Sequence, residues 1–452
     1  MENIPFGPNY EEMLYPQKIP DHIRDKALDV LKNDEFDPLN FFNITWKNQD
    51  NLVRKVILPP ELTGVDANIV VLLGKYFPSG SHKVGPAYST LIEGCVDGDI
   101  IPGKHTILSP STGNFGIGTA YISKLMGYKC IVIMPDSMSK ERYDTIQSYG
   151  ADLELTPGTE SDVILTLKKT HEMGQDPHNV ALAQFELMPN YRFHRYVTGN
   201  SAIEAVKGIG NERVSCFVSA PGSAGTLGAG DEIKQTFPEA KIVAVEPYEC
   251  PTLAIGGKGQ HRIEGIGDKM CTLIHNVLNT DFVALVKDED SVRGLKLLNG
   301  GTDILVRHGI HRDTAASMSE LFGISTICNI IAAIKVAKYL KLGPNDNIVT
   351  IATDGIDRYE SVLDELEKWE LEISPEVLER WYQDIFLKAG EDEIYDFRKR
   401  EMKEKLFQQK EKDWKPFGYS QEYFEAMKDM DFWDRAYEKT FEYNEKILQW
   451  RE

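Results

Sequence analysis

A chain of 452 residues with 42% hydrophobic content can bury one large core or two, which predicts a globular protein of one to three domains and excludes a disordered one. A formal net charge of -20 argues against a nucleic-acid partner, because binding a phosphate backbone needs a basic surface. A small anionic ligand is still possible where backbone amides meet its charge locally.

Six scattered cysteines (Cys95, Cys130, Cys216, Cys250, Cys271, Cys328) form no CxxC pair, and no His cluster has metal-ligand spacing. Neither a disulfide scaffold nor a metal site is therefore expected. The opening stretch lacks a basic start followed by an apolar run, and no segment approaches the roughly 18 apolar residues needed to span a bilayer, so the expectation is a cytoplasmic protein with no membrane association.

Residues 1–64 are rich in Pro, Asn and Asp with scattered aromatics, and read as a wrapping arm carrying one helix, HIRDKALDVLKND. From about residue 65 short β-branched runs alternate with helical stretches: NIVVLL, HTILS, CIVIMP, SCFVSA, KIVAVEP and NIVTIATDG each follow or precede 10 to 15 residues of helical pattern. That alternation predicts βαβ units and mainly parallel sheets flanked by helices, an α/β class. After about residue 365 a charged helical extension (366–452) holds Trp369, Trp381, Trp414, Trp433 and Trp450, which need apolar partners on the body or on a second subunit.

Three segments carry possible chemistry. Lys83 follows a Pro-Ser-Gly-Ser turn at the expected first turn of a helix, where the helix end and neighbouring His82 would oppose its charge and favour the neutral amine needed to form a Schiff base. Ser111, Thr112, Gly113 and Asn114 lie between a strand and a helix, where hydroxyls, amides and a carboxamide can hold a carboxylate or a phenolic oxygen; simple helix capping explains them equally well. Gly222, Ser223, Ala224, Gly225 and Thr226 join a buried strand to a helix and aim free amides at one point, as a phosphate site would, although a tight turn that binds nothing has the same form. The loop matches neither GxGxxG in frame nor the P-loop, so a dinucleotide or ATP is disfavoured.

Taken in this order over residues 65–365, these segments resemble the cysteine synthase and cystathionine β-synthase branch of the fold type II pyridoxal-phosphate enzymes, within the tryptophan synthase β superfamily. AQF, HRIEGIG and FGIST add to the likeness. The resemblance implies a two-domain architecture, with a smaller subdomain at about 88–200 inserted in the catalytic core. It implies pyridoxal 5'-phosphate bound by Lys83, with His82, Asn114, Gly222 to Thr226 and Ser325 around the cofactor. It places Ser111, Thr112, Gly113, Asn114 and Gln184 at the substrate carboxylate, and suggests a homodimer.

Ser325 beside the pyridine nitrogen (Thr326 if the register shifts by one) would supply a neutral hydroxyl, which disfavours transamination and leaves chemistry at Cβ. The reaction expected is β-replacement or β-elimination on a small amino acid, with Lys83 as the Cα base. Phe115 after the asparagine and the two extensions depart from the simple sulfhydrylase pattern. A lyase, racemase or thiolase-like subunit working with a partner chain is the alternative, and a non-catalytic scaffold is a third reading.

Overall fold

A computed structural model describes residues 6–370 and 372–451. The chain enters a larger sheet with β1 (Lys55–Ile57) and β2 (Asn68–Leu73), then leaves it to build a smaller sheet from β3 (Thr106–Pro110), β4 (Lys129–Pro135), β5 (Asp152–Thr156) and β6 (Asn179–Ala181). It returns with β7 (Val214–Ser219), β8 (Lys241–Pro247), β9 (Phe282–Val286) and β10 (Asn347–Ala352), and β11 (Ile394–Asp396) completes the far edge. The larger sheet runs β1-β2-β10-β7-β8-β9-β11, the smaller β5-β4-β3-β6.

The smaller sheet is parallel throughout, and the larger is parallel except at its two edge strands, β1 and β11. This is the mixed α/β class with flanking helices that the alternation of strands and helices implied. The inner strands read as unbroken apolar runs because helices cover both faces; NIVVLL and NIVTIA are buried along nearly their whole length. Register places Ile348 beside Ile69 on one side and Cys216 on the other, so β10 lies between β2 and β7 and brings their C-terminal ends together.

The C-terminal extension is helical but for β11, three residues too few to show a period, which pair with β9 and cover the sheet edge there. Trp414 and Trp433 are fully buried with Phe185, Tyr191, Leu273 and Ile274, and Trp381 is buried against helices of the larger sheet. These tryptophans thus find their partners within the chain, whereas Trp369 is 79% exposed.

The N-terminal arm carries its helix at Asp21–Asn33 and buries Tyr10, Phe41 and Trp46. Arm and extension meet: Glu11 N donates to Asn444 Oδ1 at 3.2 Å, and Arg451 pairs with Glu12. Among the described residues no helix is long and apolar enough to cross a membrane.

Candidate active site

In a parallel sheet the loops after the strand C-termini converge on one crevice, and here five such loops line a single narrow cavity. Lys83 arrives after β2, Ser111 to Phe115 after β3, Gln184 and Phe185 after β6, Gly222 and Ser223 after β7, and Thr353 after β10. Ser325 at the start of helix Ile324–Tyr339, with Gly265 and Asp268 from the loop after Ile255, completes the wall. Most of the residues singled out in the sequence are therefore brought together.

Lys83 caps helix Val84–Val96, whose Pro86 suits a first turn. The helix Asn114–Met126 packs against it at Gly118, where a Cβ would come within 3.0 Å of Val84 Cα, so the missing side chain lets Asn114 approach Lys83. Burial lowers the Lys83 amine from the usual 10.5 to about 8, while Asp268 and Glu160 oppose the shift through space. Desolvation therefore leads where the sequence pointed to the helix end. His82 lies off the cavity wall, its ring stacked 5.4 Å from Trp46 and edge-on to His194 at 5.3 Å; burial and then Lys83 hold it neutral.

The asparagine loop is held from behind. Ser111 Oγ accepts from the amides of Gly113 (3.0 Å) and Gly116 (2.9 Å), so it does cap the turn. Asn114 Nδ2 donates to Asp354 Oδ2 at 2.6 Å and its Oδ1 accepts from Arg358 at 2.8 Å, leaving one Nδ2 hydrogen for a ligand. Thr112 Oγ1 is hydrogen-bonded to the buried Glu160, and Arg142, paired with Glu264, donates to the Thr112 carbonyl. Gln184 Nε2 reaches the Pro110 carbonyl at 3.4 Å.

The glycine loop fits an anion. Ser223 Oγ accepts from Asn190 Nδ2 at 2.8 Å and Thr226 Oγ1 accepts from Ser219 at 2.9 Å, so each hydroxyl keeps its own hydrogen to donate forward. The amides opening helix Gly225–Thr236 add the positive end of its dipole. Ala224 holds φ 66°, a left-handed conformation that costs about 1–2 kcal/mol outside glycine. A Cβ on Gly225 would fall 2.1 Å from Asn190 Oδ1.

The model for the pyridoxal-phosphate dependent enzyme family matches residues 58–354. The chain belongs to this family. A probable cysteine synthase of Bacillus subtilis is 33% identical over 310 residues, covering 68% of this chain and 92% of that protein. The cysteine synthase of Staphylococcus aureus is 33% identical over 294 residues, covering 65% and 87%. Among solved structures, an O-acetylserine sulfhydrylase isoform from Entamoeba histolytica superposes with a TM-score of 0.60 at 27% identity, covering 74% of this chain and 93% of its own. A hydrogen sulfide-producing enzyme from Fusobacterium nucleatum gives 0.58 at 28% identity, covering 74% and 94%.

The protein is thus a pyridoxal 5'-phosphate dependent enzyme of the cysteine synthase branch that replaces or eliminates a group at Cβ of an amino acid. A buried lysine amine beside an anion cradle is what that cofactor requires of a protein.

Several residues at this pyridoxal-phosphate enzyme's site were not read from the sequence. Asp268 lines the cavity with Oδ2 buried and unpartnered, and burial together with Glu160 raises its carboxyl well above the usual range. Thr353 and Phe185 also face the cavity. Behind the wall, Asp354 and Arg358 hold Asn114, Tyr359 donates to Asp354, and Arg142 and Glu160 hold Thr112. The DGIDRY run directly after the last inner strand was the available signal for the first group.

Proposed function

We propose that Lys83 binds the cofactor covalently and serves as the Cα base for β-replacement or β-elimination on a small amino acid such as serine, cysteine or O-acetylserine. The observation that carries this reading is the placement of a buried amine, an anion cradle and the asparagine loop around one cavity. The bound cofactor supplies an electron sink conjugated to the substrate's Cα.

In this reading the amides of Gly222 to Thr226 and the Ser223 and Thr226 hydroxyls hold the phosphate, and the free Asn114 Nδ2 hydrogen meets the phenolic oxygen. Ser325 stands at the ring nitrogen as a neutral partner, which supports Cβ chemistry over amino transfer. Thr326, whose hydroxyl is buried without a partner, is off the cavity wall, which favours the Ser325 register.

Ser111, Thr112, Gly113, Asn114 and Gln184 orient the substrate carboxylate, so that the Cα hydrogen stands toward Lys83 Nζ. With the cofactor bound, Lys83, whose amine burial lowers to about 8, would be the residue that takes that hydrogen as a proton. Asp268, on the cavity wall and with its carboxyl raised by burial, is the residue to hand a proton to the group that departs from Cβ. The near-complete burial of the wall keeps bulk water from the reacting atoms.

Three units fit this reading: an arm at 1–64, a catalytic core at 65–365 with its smaller subdomain at about 88–200, and the extension at 366–452. The family likeness supports a homodimer, and six free, buried cysteines suit the reducing cytoplasm. Light scattering on the purified chain tests the dimer.

The function is tested by incubating the holoenzyme with serine, cysteine and O-acetylserine plus sulfide, following cofactor absorbance and product. A perturbed spectrum and a released Cβ group are expected with at least one of them. Lys83→Ala should lose the visible absorbance of covalently held cofactor and all turnover; an unchanged spectrum would refute the assignment.

A further inference from the structure

Glu160 lies outside the segments that the family likeness assigns. It sits in the loop between β5 and helix Val163–Met173, on the smaller-sheet side, and is 3% exposed. That loop is stitched to the loop bearing Asp268: Lys269 N donates to the Ser161 carbonyl at 3.1 Å, Lys269 Nζ pairs with Asp162, and Ser161 Oγ donates to the Gly259 carbonyl at 3.2 Å. One carboxyl oxygen of Glu160 meets Thr112 Oγ1, and the other is buried with no hydrogen-bond partner.

A hydroxyl has one hydrogen to give. If Glu160 is ionised, Thr112 spends its hydrogen on Glu160 Oε1 and turns only lone pairs toward the cavity, where a carboxylate would be repelled. If Glu160 is protonated, the carboxylic acid donates to Thr112 Oγ1, and the Thr112 hydrogen is released toward the cavity. An ionised Glu160 also adds a second negative charge behind the cradle, so both effects act in the same direction.

We propose that Glu160 is a positioning residue for the substrate carboxylate, turning the Thr112 hydrogen into the cavity by lending its own proton to Thr112 Oγ1. The inference rests on the reading that Thr112 meets that carboxylate. Substrate binding is then linked to protonation of Glu160.

The groups that face Glu160 are Arg142 from helix Lys140–Ser148, Glu264, Asp268 and the Gly265 amide from the 256–276 loop, and Lys83. Arg142 lies in ion-pair contact with Glu264 at 2.8 Å, and its charge still favours an ionised Glu160 against burial. Burial pushes Glu160 up to about 8, with Arg142 and Thr112 opposing, which leaves it mostly protonated near neutrality and ionised at alkaline pH. Because the carboxylate ligand selects the protonated form, its affinity is full below this value and falls as pH rises through it.

The test uses the holoenzyme and propionate, a carboxylate with no amino group to titrate, measured by calorimetry from about pH 7 to about pH 9.5 in two buffers of different ionisation heat. The dissociation constant of the wild type should rise toward tenfold per pH unit at the alkaline end, with about one proton taken up per propionate bound. Glu160→Gln, whose carboxamide donates to Thr112 Oγ1 at every pH, should bind with little pH dependence and no uptake. A variant that keeps the wild-type slope overturns the proposal, as does absence of proton uptake in the wild type. Thr112→Val separates the two readings: roughly tenfold weaker binding at neutral pH is expected, with only the shallower pH dependence that the Glu160 charge alone imposes, whereas unchanged affinity shows that Thr112 does not meet a carboxylate. Proton uptake that persists undiminished in Thr112→Val shows that the linkage does not run through the Thr112 hydrogen and also overturns it.

Discussion

Replacing Lys410 by methionine should change stability by an amount that depends on pH. Lys410 lies in helix Arg400–Trp414 of the C-terminal extension, 1% exposed, and its Nζ donates to the carbonyls of Leu273 and His275. Burial lowers its amine from the usual 10.5 to about 7, so between these values the folded state holds one proton fewer than the unfolded state. Stability therefore rises with pH across this window, by up to about 1.36 kcal/mol per unit. A neutral amine still has two hydrogens for the two carbonyls, so both bonds survive deprotonation.

At pH 7 the wild type carries the cost of discharging or burying the ammonium, about 4 kcal/mol by the same linkage. Methionine removes that cost and leaves two buried carbonyls unpaired, at about 1–3 kcal/mol each. The two effects nearly cancel there. From about pH 7 to about pH 9 the wild type should gain about 2 kcal/mol on the variant, the half-protonated start reducing the full slope. Urea unfolding followed by tryptophan fluorescence at the two pH values reads this difference, with Trp414 and Trp433 close by as reporters. The same difference at both values would refute a buried, pH-titrating lysine.

Gly225→Ala should drive a Cβ against Asn190 Oδ1 and cost about 2 kcal/mol of cofactor affinity, roughly thirtyfold, seen as loss of cofactor absorbance on dialysis; full retention would remove the loop from the phosphate site. Asp268→Asn keeps the shape but cannot release a proton, so kcat should fall about 10²-fold with little change in KM or cofactor absorbance, and an unaltered kcat would exclude it as the acid for the leaving group.

Six strands were legible because each is a run of β-branched residues buried on both faces, and their alternation with helices implied parallel sheets. FVALV at β9 carries the same signal and was passed over beside stronger neighbours, while the three-residue strands KVI, NVA and IYD are too short to show a period. β5, with DLELT half exposed, is an edge strand whose polar residues hide it. At the site, loops joined to strand ends were readable because Gly, Ser and Lys stand at fixed places after each strand. Glu160, Arg142 and Asp354 were not, since their meaning comes from partners 48, 30 and 240 positions away in the chain.

The meeting of arm and extension has a consequence for how the chain matures. Asn9, Glu11 and Glu12 take their partners from Asn444 and Arg451, more than 430 positions later, so these contacts cannot form while the chain is still emerging during synthesis. Both sheets can assemble first, leaving Asn9, Glu11 and Glu12 to wait for the last long helix. Closure of that clasp is then a late maturation event, and a nascent chain halted before residue 430 would present an unclasped arm to chaperones and proteases.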